Sequence, residues 1–330
     1  MVNVVITGGG GFLGSRLARE LLAAGSLDVA GEGAGPLAAI TLIDQAPVPP
    51  DLAADQRVTA IQGDLGELLA SEPSPLAGAD IIFHLAAAVS GECEADFDLG
   101  IRANLWPTEA LLAAARRLGT SPVVVFSSSL AVFGDSADHP LPAVVDDQAL
   151  PNPQTSYGAQ KVIGEHLLAD YTRKGFLRGR ALRLVSVSIR PGRPNAAASG
   201  FMSGVIREPL AGQRTTCPVD PATEVALASP AKAITGLLCA ATSTEAAWGG
   251  YSAVTLPALT ISITDMVAAM SRVAGPEPAK LIDYQPDPVI ATIVASWPTG
   301  VRSERAARLG LTPDPDYDSV IRMHLAEARS

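Results

Sequence analysis

The sequence of 330 residues is poor in aromatic residues, in charge and in cysteine. Aromatic residues make up 5% of it and charged residues 18%, whereas hydrophobic residues reach 48%. This balance excludes a disordered chain and favours a packed α/β protein. The three cysteines, Cys93, Cys217 and Cys239, lie far apart and form no CxxC pair. We therefore expect reduced thiols, no disulfide framework and no metal site.

Basic residues and long apolar runs are also scarce. The formal net charge is −10 at pH 7. Nucleic acid and anionic membranes both require a basic surface, so neither is an expected partner. No basic stretch precedes the first apolar run, which is short and ends in glycines. We expect neither a signal peptide nor a membrane span, and we predict a cytoplasmic protein.

The first 190 residues alternate short apolar runs with stretches of helical spacing. Such alternation predicts an α/β fold with a doubly wound parallel sheet of the Rossmann type. The predicted strands are Val2–Thr7, Ile40–Ile43, Val58–Ile61, Asp80–Leu85, Val123–Phe126 and Ala181–Ile189; helices are predicted at Phe12–Ala24, Asn104–Leu118 and Tyr157–Lys174, and a loop at Gly25–Leu37.

After Arg190 this rhythm ends, because prolines and a run of small residues interrupt it. We predict that residues 190–330 form a smaller lobe that closes over the carboxyl edge of the sheet. Some of its segments are expected to return to the main domain of residues 1–189.

A glycine-rich loop follows the first predicted strand and opens the first helix. Gly8, Gly11 and Gly14 allow a tight turn, close approach to a pyrophosphate, and close packing of helix on strand. The helix N-terminus, at Phe12 and Leu13, offers free N–H groups and a favourable dipole to phosphates. The loop therefore predicts a dinucleotide site.

Acidic residues follow the next two strands. Asp44 ends the second strand, where a carboxylate accepts hydrogen bonds from the adenosine ribose and repels a 2′-phosphate, which favours NAD over NADP. The alternative is a strand-end aspartate that caps a turn. Asp64, followed by Leu65, could meet the adenine amino group, cap the next helix, or do both.

The fourth strand leads into a run of small side chains. At Leu85, Ala86 and Ala87 the backbone is expected to lie flat beside a dinucleotide. We interpret His84, just before them, as a satisfied histidine of the core or of the layer behind the site, rather than as a catalyst.

A serine-rich strand end and a Tyr-x-x-x-Lys pair predict the chemistry. Ser129 follows the fifth strand, and Tyr157 and Lys161 share one face of the next helix because they are four residues apart. A neighbouring ammonium stabilises a phenolate, so we expect Lys161 to lower the pKa of Tyr157 from about 10. With Ser129 orienting the substrate oxygen, this constellation suits proton removal from an alcohol as hydride leaves its carbon.

These motifs together resemble the extended short-chain dehydrogenase/reductase family, also called the NAD-dependent epimerase/dehydratase family. The resemblance rests on the glycine loop, Asp64, residues 84–88, Asn104, the serines at 127–129, and the pair Tyr157 and Lys161. It covers nearly the whole chain.

The resemblance implies a role for each of these residues. Tyr157 would be the proton acceptor, Ser129 its partner, and Lys161 a ligand of the nicotinamide ribose. NAD would be the cofactor, with Asn104 at its site. The resemblance also implies a homodimer, formed by the helices near residues 104–118 and 157–174.

At two places this sequence differs from family members that catalyse other reactions. Leu130 and Ala131 follow Ser129 where sugar 4,6-dehydratases carry an Asp-Glu pair, and Ser186 stands where nucleotide-sugar epimerases usually have asparagine. Residues 87–98, 190–199 and 206–210 instead resemble those of members that oxidise the C2 hydroxyl of a four-carbon sugar acid with NAD.

A sugar acid as the small-molecule substrate needs a partner for its carboxylate. Arginine offers a bidentate fork for that group, and Arg190, Arg193 and Arg207 are candidates, although each arginine taken alone is more typical of a surface or interdomain salt bridge. Ser90 and Asn195, beside Ser129 and Tyr157, are candidates for substrate hydroxyls. Two other functions stay open: a nucleotide-sugar 4-epimerase, and a dinucleotide-binding sensor or scaffold without turnover.

Overall fold

The computed structural model describes residues 1–142, 144–192 and 198–328. Its strands fall into one large sheet and several small ones. In chain order they are β1 (Val2–Thr7), β2 (Ser26–Asp28), β3 (Ala34–Asp44), β4 (Val58–Gln62), β5 (Ile81–His84), β6 (Val123–Ser129), β7 (Val144–Asp146), β8 (Arg178–Leu184), β9 (Ser186–Val187), β10 (Thr215–Cys217), β11 (Glu224–Ala228), β12 (Val254–Thr255), β13 (Leu259–Ser262), β14 (Ile282–Tyr284) and β15 (Gly300–Arg302).

The helices connect and cover these strands. Short turns of other helix types occupy Ile101–Leu105 (π), Leu130–Val132 (3₁₀) and Pro278–Leu281 (3₁₀). The α-helices are α1 (Phe12–Ala24), α2 (Pro50–Ala53), α3 (Leu65–Ala70), α4 (Ser90–Ala95), α5 (Phe97–Gly100), α6 (Trp106–Leu118), α7 (Ser156–Arg173), α8 (Phe201–Leu210), α9 (Pro230–Thr242), α10 (Glu245–Trp248), α11 (Ile263–Ala274), α12 (Pro288–Ala295), α13 (Glu304–Arg308) and α14 (Tyr317–Glu327).

The large sheet confirms the predicted Rossmann-type fold. Its parallel strands run in the order β12-β8-β6-β5-β1-β3-β4, and β2 pairs antiparallel with the first residues of β3. Helices α1 and α9 contact each other, and α3, α6 and α7 form a second packed group. The strand order reverses between β3 and β5 on either side of β1, and α/β sheets bind ligands at the carboxyl ends of strands around such a reversal.

Two sequence-based expectations about elements are wrong. The predicted loop Gly25–Leu37 contains the hairpin of β2 and β3, whose turn uses positive φ at Ala30, Gly31 and Gly33. Its glycine, alanine and proline content hid the strand pattern. The predicted strand Ala181–Ile189 is two strands, because β8 ends at Leu184 and β9 pairs with β11 in a different sheet.

Besides the hydrophobic clusters of the large sheet, the C-terminal part contains one of its own, called here the second hydrophobic cluster. Buried side chains from Ile189 to Ile321 form it, among them Val205, Met266 and Tyr317, and it lies beside the sheet β13-β11-β9. Strand β12 and helix α9 return to the large sheet. The boundary at residue 190 stays a prediction. No helix in the described ranges is both long and apolar enough to span a bilayer.

Candidate active site

A cleft of about 680 Å³ opens at the carboxyl edge of the large sheet. This volume is in the range of small-molecule and cofactor sites. Every residue predicted to hold the cofactor lines the cleft, with the exception of Asn104. The predicted substrate residues Ser90, Ser129, Tyr157 and Arg190 line it as well. Asn195 and Arg193 lie outside the described residues.

The glycine loop forms a cradle that fits a pyrophosphate. Gly8 has φ of 75°, and a Cβ on it would lie 2.8 Å from the backbone nitrogen of Ala86, so only glycine lets the loop approach β5 this closely. Helix α1 starts after Gly11, and no described side chain caps it. Its first N–H groups are therefore available to an anion, as phosphate recognition requires.

Asp44 holds the cradle in place. One carboxylate oxygen accepts from the backbone N–H of Gly10 at 2.9 Å and of Gly11 at 3.2 Å, and the other accepts from Ala46 at 2.9 Å. The turn-capping interpretation of Asp44 is thus realised. Because Asp44 also lines the cleft, its charge stands where an adenosine ribose is expected.

Asp64 lines the cleft and caps a helix beside it. One oxygen accepts from the Glu67 N–H at 3.2 Å, as an N-cap does for α3, and the other accepts from Gln45 Nε2 at 3.1 Å. Gln45 is a cleft residue that the sequence analysis missed, although its position directly after Asp44 could have indicated it.

Asn104 supports the cleft from behind instead of lining it. Its Oδ1 accepts from the Ala88 N–H at 2.7 Å, and its Nδ2 donates to the Ala88 carbonyl at 3.2 Å and to Gln160 Oε1 at 2.8 Å. Asn104 therefore does not line the cleft as expected, because its side chain is buried in the π-helical turn and faces the Ala88 backbone.

The predicted catalytic side chains meet at the end of β6. Thr155 caps α7, which places Tyr157 in the first turn and Lys161 one turn later. Lys161 Nζ donates to the Ser127 carbonyl at 2.8 Å and lies 5.4 Å from the centre of the Tyr157 ring. Ser129 Oγ accepts from the Ala131 N–H at 3.1 Å and contacts Tyr157 closely enough to lower the pKa of the phenol.

The pKa of Tyr157 departs from the sequence-based expectation. Its pKa is raised to about 12, chiefly by burial and to a lesser extent by the nearby Cys93, while Ser129 and Arg190 act in the opposite direction. Burial also lowers the pKa of Lys161 to about 8, against the opposing influence of Cys93 and Glu165. Lys161 directs its ammonium at the Ser127 carbonyl and not at the phenol, so desolvation outweighs the expected stabilisation of the phenolate.

The structure distinguishes two of the arginines that were candidates for binding a substrate carboxylate. Arg190 is on the cleft wall and forms no ion pair with any described residue. Arg207 instead pairs with Glu208 at 2.5 Å and donates to the Arg190 carbonyl at 2.6 Å. Arg207 therefore supports the Arg190 backbone, and its guanidinium is already committed to other partners.

Trp297 completes the cleft from the C-terminal part of the chain. It follows α12, more than one hundred positions after Arg190. No pattern near Trp297 in the sequence could have indicated this contribution, because it depends on how the second hydrophobic cluster packs beside the sheet.

The comparison with known families agrees with this geometry. The model of the NAD dependent epimerase/dehydratase family matches residues 4–226. The chain belongs to the NAD-dependent epimerase/dehydratase family. The predicted family and the predicted cofactor, NAD, are confirmed, and the chain is an NAD-dependent oxidoreductase that acts on CH–OH groups.

Relatives of the same family cover nearly the whole chain. D-erythronate dehydrogenase of Cupriavidus necator is 44% identical over 327 residues, which is 99% of either chain. D-erythronate dehydrogenase of Haemophilus influenzae is 35% identical over 331 residues, 98% of this chain and 99% of the relative. The crystal structure of the nucleoside-diphosphate-sugar epimerase from Agrobacterium tumefaciens has 38% identity and a TM-score of 0.87, covering 98% of this chain and 94% of that one.

The position of Asp44 predicts how cofactor choice can be changed. Asp44→Asn removes a charge that would oppose a 2′-phosphate, so the ratio of NADP to NAD dissociation constants should fall by about 10². Calorimetric titration with both cofactors measures this ratio. Asp51→Asn, which neutralises an exposed aspartate paired with Arg19, serves as the control. An unchanged ratio in Asp44→Asn would show that discrimination lies elsewhere.

Proposed function

We propose that the chain oxidises the C2 hydroxyl of D-erythronate, a four-carbon sugar acid, to 2-oxo-D-erythronate with NAD. The observation that carries this proposal is Arg190, a guanidinium in the cleft without a carboxylate partner among the described residues. Two relatives named D-erythronate dehydrogenase match the chain over its length, which supports the same substrate.

The surroundings of Arg190 favour the binding of an anion. Burial and the like charge of Arg207 lower the pKa of Arg190. A guanidinium held in this way is stabilised when a carboxylate binds it, preferably through both oxygens. The charge of Arg190 also lowers the pKa of Tyr157, so the two side chains are close enough to act on one small substrate.

The proposed reaction assigns a role to each side chain. Arg190 binds the C1 carboxylate, which presents the adjacent C2 hydroxyl to Tyr157 and Ser129. Tyr157 takes the hydroxyl proton, Ser129 donates a hydrogen bond to the C2 oxygen, and the C2–O bond becomes a carbonyl as hydride leaves C2. Lys161 holds the nicotinamide ribose. Bound NAD supplies the hydride acceptor, C4 of its nicotinamide.

The decisive experiment measures NADH formation with aldonic acids of four to six carbons, both stereoisomers of each. We expect D-erythronate to give the highest kcat/KM, with one NADH formed for each 2-oxo acid. Absence of NADH with every acid in the panel would refute the proposal and favour a sensor or scaffold.

A nucleotide-sugar 4-epimerase is the second candidate, favoured by the similarity to the solved epimerase structure from Agrobacterium tumefaciens. Such an enzyme retains its NAD and returns hydride to the opposite face of the sugar. Interconversion of UDP-glucose and UDP-galactose without release of NADH would identify it. Stoichiometric NADH with D-erythronate, and no interconversion, would exclude it.

We also propose that the chain forms a homodimer through α6 and α7. Three large apolar side chains are exposed on helices that contact one another: Phe97 on α5 at 62%, Trp106 on α6 at 61% and Ile163 on α7 at 42%. Burial of such a surface against a second copy would remove apolar area from water.

Trp106→Glu should therefore convert the dimer to a 33.9 kDa monomer, because a carboxylate in an apolar interface loses its hydration. Light scattering coupled to size exclusion measures the mass. Tyr251→Glu, at another exposed aromatic residue, should leave the dimer intact. A wild-type monomer, or a Trp106→Glu dimer, would contradict this assignment.

A further inference from the structure

A chain of hydrogen bonds passes through His84 beneath the cleft. His84 lies opposite Thr7 on the neighbouring strands β5 and β1, and its Nδ1 is 2.7 Å from Thr7 Oγ1. On the other side of the ring, Nε2 is 2.9 Å from Thr108 Oγ1 on α6. All three side chains are buried. These hydrogen bonds therefore join the strand that leads into the glycine loop to α6, which directly follows the π-helical turn that contains Asn104.

The direction of each bond follows from one carbonyl. Thr108 Oγ1 is 2.5 Å from the Asn104 carbonyl, which only accepts, so the Thr108 hydroxyl donates its proton there. His84 Nε2–H must then donate to Thr108. Burial lowers the pKa of His84 to about 3, so the ring is neutral, and its unprotonated Nδ1 accepts from the Thr7 hydroxyl.

Both ends of the chain reach backbone that lines the cleft. Thr7 Oγ1 is 3.4 Å from the backbone nitrogen of Ala86, at the upper limit for a hydrogen bond. At the other end, Asn104 holds both polar groups of the Ala88 backbone and reaches Gln160, the residue before Lys161 on α7. A third contact runs from Ser127, whose Oγ donates to the His84 carbonyl and whose own carbonyl binds Lys161.

We infer that His84 is a positioning residue for NAD, which fixes the backbone of residues 86–88 against the glycine loop and the catalytic helix. It touches no part of the cleft itself. The inference rests on NAD binding and not on the identity of the sugar acid, so it can fail or hold independently of the proposed function.

Isosteric variants that remove one hydroxyl each test this inference. Thr7→Val and Thr108→Val should each weaken NAD binding about five- to tenfold, because one hydrogen bond is lost and a buried partner is left unsatisfied. The NAD dissociation constant of the double variant should be close to that of whichever single variant binds NAD more weakly, since both changes act through the same imidazole. Thr108→Ser, which keeps the hydroxyl, should restore wild-type affinity.

Isothermal titration with NAD alone gives these dissociation constants, and a melting temperature is recorded for each variant. Thr255→Val is the matched control, because Thr255 is a buried threonine on β12, at the other edge of the large sheet. Suppose that the melting temperature of a variant falls as it does for Thr255→Val while its NAD affinity stays within twofold of wild type. The hydrogen bonds through His84 would then have only a structural role. Multiplicative losses in the double variant would also overturn the inference.

His84→Gln provides a second route if Thr7→Val fails to fold. The glutamine amide nitrogen can replace Nε2 as the donor to Thr108 but leaves Thr7 without an acceptor. Its NAD affinity should therefore equal that expected for Thr7→Val. Wild-type affinity in His84→Gln would contradict the inference.

Discussion

Replacement of Tyr157 by phenylalanine should lower kcat for D-erythronate oxidation by about 10³, the middle of the range for loss of a general base. The ring and its packing remain, and only the hydroxyl that we propose takes the C2 hydroxyl proton is removed. NAD affinity should stay within a few-fold of wild type, which titration calorimetry measures separately from turnover. The expected signature is thus an enzyme that binds its cofactor and hardly reduces it.

Tyr171→Phe is the matched control, because Tyr171 lies on the same helix and packs edge-on against Phe176, with ring centres 5.9 Å apart. It should turn over normally. Near-normal turnover by Tyr157→Phe would instead remove the phenol from the reaction and with it the proposed mechanism.

The same phenol determines the expected pH dependence. With a pKa raised to about 12, Tyr157 is protonated at neutral pH. The fraction present as the reactive phenolate therefore increases up to tenfold per pH unit. Oxidation of the sugar acid should accelerate with rising pH, whereas the reverse reaction, in which the phenol donates, should not. The rise should end near pH 8, where Lys161 loses its proton and, in its proposed role, would bind the nicotinamide ribose more weakly. A profile of kcat/KM that is flat below pH 8 would contradict this account.

Arg190→Met should reduce kcat/KM for D-erythronate by about 10²–10³ while the NAD dissociation constant stays unchanged. Methionine preserves much of the apolar stem but removes the guanidinium that would pair with the substrate carboxylate, and loss of one partner of a desolvated ion pair has an effect of this size. Arg190→Lys should recover only part of the loss, since an ammonium lacks the bidentate fork.

Arg214→Met is the control for loss of one arginine. Arg214 pairs with Asp283 at 2.9 Å on the exposed surface, where a salt bridge contributes little. A substrate analogue with a carboxamide in place of the carboxylate gives a second comparison, because it should not distinguish wild type from Arg190→Met. If Arg190→Met loses less than about fivefold, another group binds the carboxylate.

Most of the cleft lining could be predicted because its residues stand at strand ends. In a parallel sheet these ends meet at one edge, so Gly8, Asp44, Ala86 and Ser129 converge once the strands are recognised. The four-residue spacing of Tyr157 and Lys161 then places both side chains on one side of α7. These are local rules, and the sequence contains all that they need.

What could not be predicted depends on packing between distant segments. Burial determines the pKa of Tyr157, and the sequence contains no measure of that burial. Arg190 and Arg207 look equivalent in the sequence, but only the folded chain pairs Arg207 with its neighbour Glu208. Asn104 belongs to a family motif, but the direction of its side chain, toward Ala88, depends on the π-helical turn and could not be predicted.

The C-terminal part has a hydrophobic cluster of its own, apart from those of the large sheet, and this separation has a consequence for how specificity can diverge. Tyr157 and Lys161 are anchored to the large sheet, whereas the Arg190 backbone is fastened to α8 through Ser203 at 3.0 Å and Arg207 at 2.6 Å. Substitutions on α8 can therefore redirect Arg190, the proposed partner of the substrate carboxylate, without disturbing Tyr157 and Lys161. One scaffold can in this way acquire new acids as substrates by small steps, each of which leaves an active enzyme.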